Sequence, residues 1–214
     1  MCTCSSGSRS WRERGASVAF VAPVTLKGAH ATLEPLAREH EDALRRAAAD
    51  GELWRLWYTS VPTPEKTAAY IDTALGMREN VGAMPFVVRA STSGEIVGCT
   101  RYFHVDAANR RLEIGYTWYA KRAQRTAINT ECKLLLLTHA FETLRCIAVE
   151  FRTHWFNHAS REAITRLGAK QDGVLRNHQI APDGSYRDTV VFSIIESEWP
   201  AVKQHLGYML ERPR

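Results

Sequence analysis

The chain has 214 residues, 45% of them hydrophobic and 24% charged, and its 28 Lys and Arg against 23 Asp and Glu give a formal net charge of +5. That length suits one domain with a full core, and those fractions belong to a globular protein rather than a disordered or fibrous one. No apolar run reaches the length of a membrane span and no Lys/Arg block appears, so neither a membrane nor a nucleic acid is the expected partner, whereas the basic excess suits a phosphate-bearing ligand.

Residues 1–16 are rich in Ser, Arg and Gly without the apolar core of a secretory signal. Residues 1–22 therefore read as a disordered leader and residues 23–214 as one folded domain. A strand is expected over 24–36, ended by Pro35. A helix over 38–50 places Ala43, Leu44, Ala47 and Ala48 on one face and stops at Gly51. The aromatic run 53–58 either seals a core or walls a pocket. Thr63 and Pro64 then open a helix to about residue 79.

Strands over 85–90, 95–105 and 112–119, joined by short turns, predict an antiparallel meander. In the third, Leu112, Ile114, Tyr116 and Trp118 alternate with Glu113, Gly115, Thr117 and Tyr119, so each set is expected on its own side of the sheet. A basic turn, 120–126, carries Lys121, Arg122 and Arg125. It leads into a long helix with Ile128, Cys132, Leu135 and Leu136 in one stripe and Leu134, Leu137, Phe141 and Leu144 beside it. A helix so apolar must be covered on more than one side.

A strand over 146–154 comes next, predicted parallel to the third because the helix is long enough for a crossover. Asn157 caps a helix over 158–167 that stops at Gly168. Strands over 173–180 and 186–195 flank a turn at Pro182, Asp183 and Gly184. A last helix from Ser197 turns Trp199, Val202, Leu206 and Leu210 inward. The fold class is therefore a single-domain α+β fold, a mixed, mostly antiparallel sheet flanked by helices.

The five cysteines fit neither a disulfide framework nor a zinc site: they are odd in number and contain no C-x-x-C, Cys99, Cys132 and Cys146 are widely spaced, and Cys2-x-Cys4 in the leader is weak evidence for a metal. Reduced thiols of a cytoplasmic protein are the default. His154 and His158 stand four apart, but at a strand end and turn rather than on a helix, so no metal is expected.

The unit 112–144 carries the main functional signal. The first N–H groups of its helix have no partner inside the helix, and the helix dipole makes that end partly positive. Three cations just ahead of it make a site for a phosphate or pyrophosphate. The plainer alternative is a strand–turn–helix unit with a solvated basic loop.

Five motifs fall in order along the chain. They are Glu113-Ile114-Gly115-Tyr116 with Trp118; Asn129-Thr130-Glu131; Asn157-His158-Ala159-Ser160; Arg166-Leu167-Gly168-Ala169; and Gly173-Val174-Leu175-Arg176. Together with the element order they resemble the GCN5-related N-acetyltransferase (GNAT) superfamily, in its RimJ/RimL-like branch, from about residue 24 to 210. The loop departs from the family pattern Gln/Arg-x-x-Gly-x-Gly/Ala, since Arg125 stands where the first glycine is expected. Arg125 either substitutes charge for close approach or blocks the site.

The resemblance implies acetyl transfer from acetyl-CoA, bound as co-substrate without a metal, to a primary amine on a protein N-terminus or small molecule. It admits a homodimer. A non-catalytic CoA-binding or sensing module with a degenerate loop is the alternative that Arg125 motivates. The implied cofactor contacts are Trp118, Tyr119, Arg122, Ala123, Gln124, Arg125, Thr126, Ala127, Asn129 and Asn157, with the Trp118–Tyr119 backbone facing the carbonyl oxygen. The attacking amine must be neutral, which an α-amino group near 8 reaches more readily than a lysine near 10.4. Glu113 and His178 compete as the base, with a water chain as a third route; Glu113 alternatively faces solvent or pairs with Arg101. By similarity Ser160 protonates the departing sulfur, unless it merely supports the helix start, as Asn157 does in capping it. The segment 53–58 and the loop after it are expected to wall the acceptor.

Overall fold

The computed structural model describes residues 19–181 and 183–212. Cys2, Cys4, Pro182 and most of the expected leader therefore lie outside the described residues. Within that leader, Val21 is buried in the main core and Phe20 packs beside it, so the folded part begins a few residues earlier than the composition suggests.

A single sheet of eight strands organises the chain, in the order β1-β2-β3-β4-β5-β6-β8-β7. The expected first strand is a hairpin, β1 (Leu26–Lys27) and β2 (Ala31–Pro35). A short 3-10 turn leads into α1 (Glu41–Ala49), and Pro64 opens another before α2 (Thr67–Val81). Thr63 is extended as a cap residue should be, but its side chain makes no capping bond. The meander is β3 (Met84–Ala90), β4 (Ile96–Asp106) and β5 (Arg111–Tyr119). Then come α3 (Ala127–Thr138), β6 (Ala148–His154), α4 (His158–Arg166), β7 (Lys170–Ile180), β8 (Tyr186–Ile195) and α5 (Trp199–Glu211). All neighbours pair antiparallel except β5 and β6, which are parallel across the α3 crossover.

Each face of the sheet carries its own core. Leu44, Ala47 and Ala48 of α1 and Ile71 and Ala74 of α2 cover Val87, Cys99 and Trp118 on one side. On the other, Ile128, Cys132, Leu136 and Leu137 of α3 and Trp199, Val202 and Leu206 of α5 cover Leu33, Phe86, Tyr102, Leu112, Ile114 and Val149. Sheet and α5 together give the apolar α3 the double cover its composition demands.

Two irregularities shape the middle of the sheet. First, β5 and β6 pair over only three rungs, Arg111 with Ala148, Leu112 with Val149 and Glu113 with Glu150, and then separate; β6 instead pairs along its whole length with β8. Second, β5 bulges. Arg101 faces Gly115 while Cys99 faces Trp118, so β5 spends three steps where β4 spends two, and Tyr116 takes φ 49°. An extra residue reverses the alternation. Leu112 and Ile114 stay on the α3 face, but Trp118 joins the α1/α2 core and Tyr119 the α3 core. The expected common side for Leu112, Ile114 and Trp118 is thus corrected.

Among the matching motifs, Glu131 has a structural task. Its buried carboxylate accepts the backbone N–H groups of Ala29 (2.8 Å), His30 (2.6 Å) and Ala31 (2.7 Å), tying the β1–β2 turn to α3. Gly28 completes the fit, because a Cβ there would run into the Glu131 carboxyl. Charge-assisted bonds of this kind are the strong ones. Glu131→Ala leaves three turn amides without their acceptor and is expected to cost about 3 kcal/mol, read as a lower denaturation midpoint at unchanged slope.

Candidate active site

The gap between β5 and β6 beyond Glu113 opens toward the N-terminus of α3. Four groups of residues surround it, each placed by a different element.

At its root Glu113 is 2% exposed on the last shared rung of the two strands. Its Oε2 lies 2.9 Å from His104 Nδ1 and 3.4 Å from Arg152 Nε. It does not pair with Arg101, which is buried between the Tyr70 and Tyr116 rings with its Nη1 2.9 Å from Met77 Sδ. Burial pushes the Glu113 carboxyl up to about 8, outweighing the attraction of Arg152, while neighbouring Glu150 adds to the rise. Burial, helped by Arg152, holds the His104 imidazole below its usual value. Near neutrality the pair thus shares one proton, held on the carboxyl and accepted by the imidazole. A cleft of about 540 Å³ reaches the pair between Asn109, Ile147 and Arg152. A second, of about 470 Å³, lies between Leu36 and α2 and is lined by none of these groups.

On the α3 side, Lys133 is 5% exposed. Its Nζ is 2.8 Å from Thr117 Oγ1, which in turn lies 2.8 Å from Thr100 Oγ1, and 5.9 Å from the centre of the Phe151 ring. Thr117 belongs to β5 and Phe151 to β6, so the lysine bridges the separating strands from the helix that covers them.

At the open end stand aromatic residues. Trp57 packs edge-on against His154 at 4.9 Å and near Phe156 at 5.8 Å, and Tyr58 lies 6.3 Å from His154. Trp57 and Tyr58 thus pack at the end of β6, none of residues 53–58 belongs to the α1/α2 core, and Trp57 is 61% exposed.

The basic loop forms the fourth side. Lys121 N–H donates to Asp50 O, Arg122 N–H to Asp50 Oδ2, Ala123 N–H to Ala120 O and Gln124 N–H to Lys121 O. The first half of the loop therefore spends its amides inside the protein, and Ala123 is itself buried. Arg122 also gives its guanidinium to Asp50 (2.9 Å) and Glu95 (3.4 Å). Arg125 is exposed and takes φ 59°, the left-handed conformation that glycine adopts without strain. The loop thus keeps the path expected of a glycine despite the side chain. Thr126 caps α3, accepting Ile128 N–H. The N–H groups of Ala127 and Asn129, in the first turn, have no intrahelical acceptor by their position.

The remaining expected residues lie at the margins of the gap or outside it. Trp118 Nε1 donates to Tyr70 Oη at 3.3 Å. Ala120 N–H bonds Val97 O of β4, so alternation sends Trp118 toward β4 and the Thr117 and Tyr119 amides toward the gap; Gln124 Nε2 reaches Tyr119 O on that same side. Asn157 Oδ1 accepts Ser160 N–H at 3.1 Å, setting both at the start of α4 just past the end of β6. His178 lies on the edge strand β7, exposed, its Nδ1 3.1 Å from Thr189 Oγ1; burial and then Arg152 lower its pKa. β8 separates its strand from β6, but His178 stands close enough to feel the charges of Arg152, Arg187 and His104.

Sequence reasoning missed His104, Arg152 and Lys133. His104 reaches Glu113 because it takes φ 46° in an irregular stretch of β4, which no pattern announces. Lys133 did leave a signal: one cation inside an otherwise apolar helix face.

The family model described as Acetyltransferase (GNAT) domain matches residues 30–170. Over 110 residues the chain is 32% identical to the Bacillus subtilis (strain 168) protein named "Putative ribosomal N-acetyltransferase YdaF". That match takes in 51% of this chain and 59% of the relative, so the chain spans less than two thirds of the curated relative's length. A solved acetyltransferase structure from T. thermophilus is 35% identical, with a TM-score of 0.78 over 89% of this chain and 98% of that one. A GCN5-related N-acetyltransferase from Brucella melitensis is 28% identical, with a TM-score of 0.81 over 89% and 87%.

The folded state holds the Glu113 proton more tightly than the unfolded chain does. Its contribution to stability is therefore full below about pH 4.5 and is lost as pH rises through about 8. Glu113→Gln has no such proton. Relative to this variant the wild type should lose stability from about pH 5 to about pH 8, by at most about 1.4 kcal/mol per pH unit, measured as paired urea titrations across that range.

Proposed function

The chain belongs to the GNAT acetyltransferase family, and on that premise we propose that it transfers an acetyl group from acetyl-CoA to a primary amine by direct attack of the amine on the thioester. The acceptor class is a protein N-terminus or a small-molecule amine. The ribosomal name of the B. subtilis relative supports the first and the RimJ/RimL-like reading of the motifs. The observation that carries the proposal is the gap between β5 and β6, with a buried proton-holding pair at its root and a helix N-terminus at its mouth.

The residues present suit acetyl-CoA. The first-turn amides of α3, with Lys121 and Arg125 beside them, suit a diphosphate. The left-handed Arg125 backbone keeps the loop on a glycine-like path, which supports diphosphate binding both in this reading and in that of a CoA-binding module without turnover; thiol release separates the two. The bound thioester supplies an electrophilic carbonyl carbon and a sulfur whose conjugate acid resembles a free thiol, near about 8.5.

In this reading the amine nitrogen bonds to the carbonyl carbon and the carbon–sulfur bond breaks. Once it has lost its own proton, as pH passes through about 8, the Glu113–His104 pair takes the amine proton, its affinity near that of an α-amino group, so the transfer is close to balanced. The amides that alternation turns into the gap, those of Thr117 and Tyr119, face the oxygen as it gains charge. Ser160, at the start of α4, relays a proton from water to the sulfur, its own hydroxyl being restored in the same step. His178 is the weaker candidate for the base, standing exposed on the edge strand with Thr189 on its ring nitrogen.

The test is thiol release from acetyl-CoA with a panel of peptides and small amines. Turnover should rise as pH passes through about 8 and fall about 100-fold or more in Glu113→Gln. Absence of CoA binding in calorimetry would sink the proposal.

A further inference from the structure

The proposed reaction leaves Lys133 without a task, and folding does not supply one. Its ammonium is 5% exposed and has no carboxylate partner among the described residues. Thr117 Oγ1 takes one of its three donors, and Phe151 offers only a ring face. A buried charge kept without a counter-charge is costly, and the same helix fills neighbouring positions with leucine. Leu or Met would fill this volume without that cost.

Its placement is specific. Thr117 lies in the β5 bulge, whose amide turns into the gap, and Phe151 is the first residue of β6 beyond the last shared rung. Lys133 therefore brings unused N–H donors and positive charge to the same span of the gap as the Thr117 and Tyr119 amides. Such a cluster of donors and charge suits a polar acceptor that gains negative charge. Resting on the acetyl-transfer reading above, we propose that Lys133 is a further catalytic residue, whose ammonium donates to the carbonyl oxygen of the acetyl thioester. Burial lowers its pKa only to about 8, so it still carries its proton near neutrality.

CoA differs from acetyl-CoA by lacking that carbonyl, which separates this role from packing. Lys133→Met keeps the side-chain volume and removes the donors; Lys133→Gln keeps N–H donors without the charge. Calorimetry with CoA and with acetyl-CoA, melting temperature and turnover are measured on wild type and both variants. Lys133→Met is expected to melt no lower than wild type, bind CoA within twofold of it, and bind acetyl-CoA about tenfold more weakly. Its kcat is expected to fall about 100-fold. Lys133→Gln should recover part of the preference for acetyl-CoA. Equal loss of both ligands, or an unchanged kcat in either soluble variant, overturns the role of Lys133. If wild type fails to bind CoA, the acetyl-transfer reading itself falls.

Discussion

The separation of β5 from β6 after three rungs is the constraint on which the rest depends. Two adjacent parallel strands ordinarily satisfy each other's amides along their length. Here β8 takes all of β6, and the bulge at Tyr116 carries β5 out of register. What remains is a length of strand with backbone donors facing an opening. Every group of chemical interest then borders that opening: Glu113 at its root, Lys133 across it, the aromatic run at its end and the α3 first turn at its mouth.

Charge is handled there in an unusual way. Several ion pairs among the described residues are exposed at both partners and contribute little, such as Arg45 with Glu41 or Arg55 with Glu52. Around the gap the pattern inverts. Lys133 is buried there without a carboxylate among the described residues, Glu113 is buried in a form that favours its proton, and across β5 Arg101 is buried likewise between the Tyr70 and Tyr116 rings. Such groups reduce stability relative to apolar substitutes. Their concentration in one region fits the acetyl-transfer reading, in which the fold gives up stability there for chemistry.

Much of this architecture was legible from the sequence, because hydrophobic period and turn residues act locally. The meander, the α3 crossover, the Asn157 cap and the strand over 186–195 all derive from such signals. So did the parallel placement of β6. The faces of Trp118 and Tyr119 did not, since a bulge is set by how two strands meet and leaves no mark on one of them alone. The Glu113 partner was misjudged for a related reason. Strand pairing brings Arg101 opposite Gly115, and only the left-handed turn of His104 delivers an imidazole to the carboxyl. The Lys121 and Arg122 amides were equally hidden, since both of their acceptors lie at Asp50, far away in the chain.

Asp50 has a consequence of its own. Through its carbonyl and one carboxylate oxygen it grips the backbone of Lys121 and Arg122 and the Arg122 guanidinium, and the aromatic run begins only a few residues after it. In the acetyl-transfer reading proposed above, the segment that would face the nucleotide and the one that would face the acceptor are therefore tied to one residue, Asp50. Donor affinity and acceptor range are not independent traits in such a scaffold. Lineages that remodel the wall around Trp57 must either preserve the Asp50 grip or re-tune the phosphate loop with it, so selection for new acceptors would tend to recruit paired changes at both places.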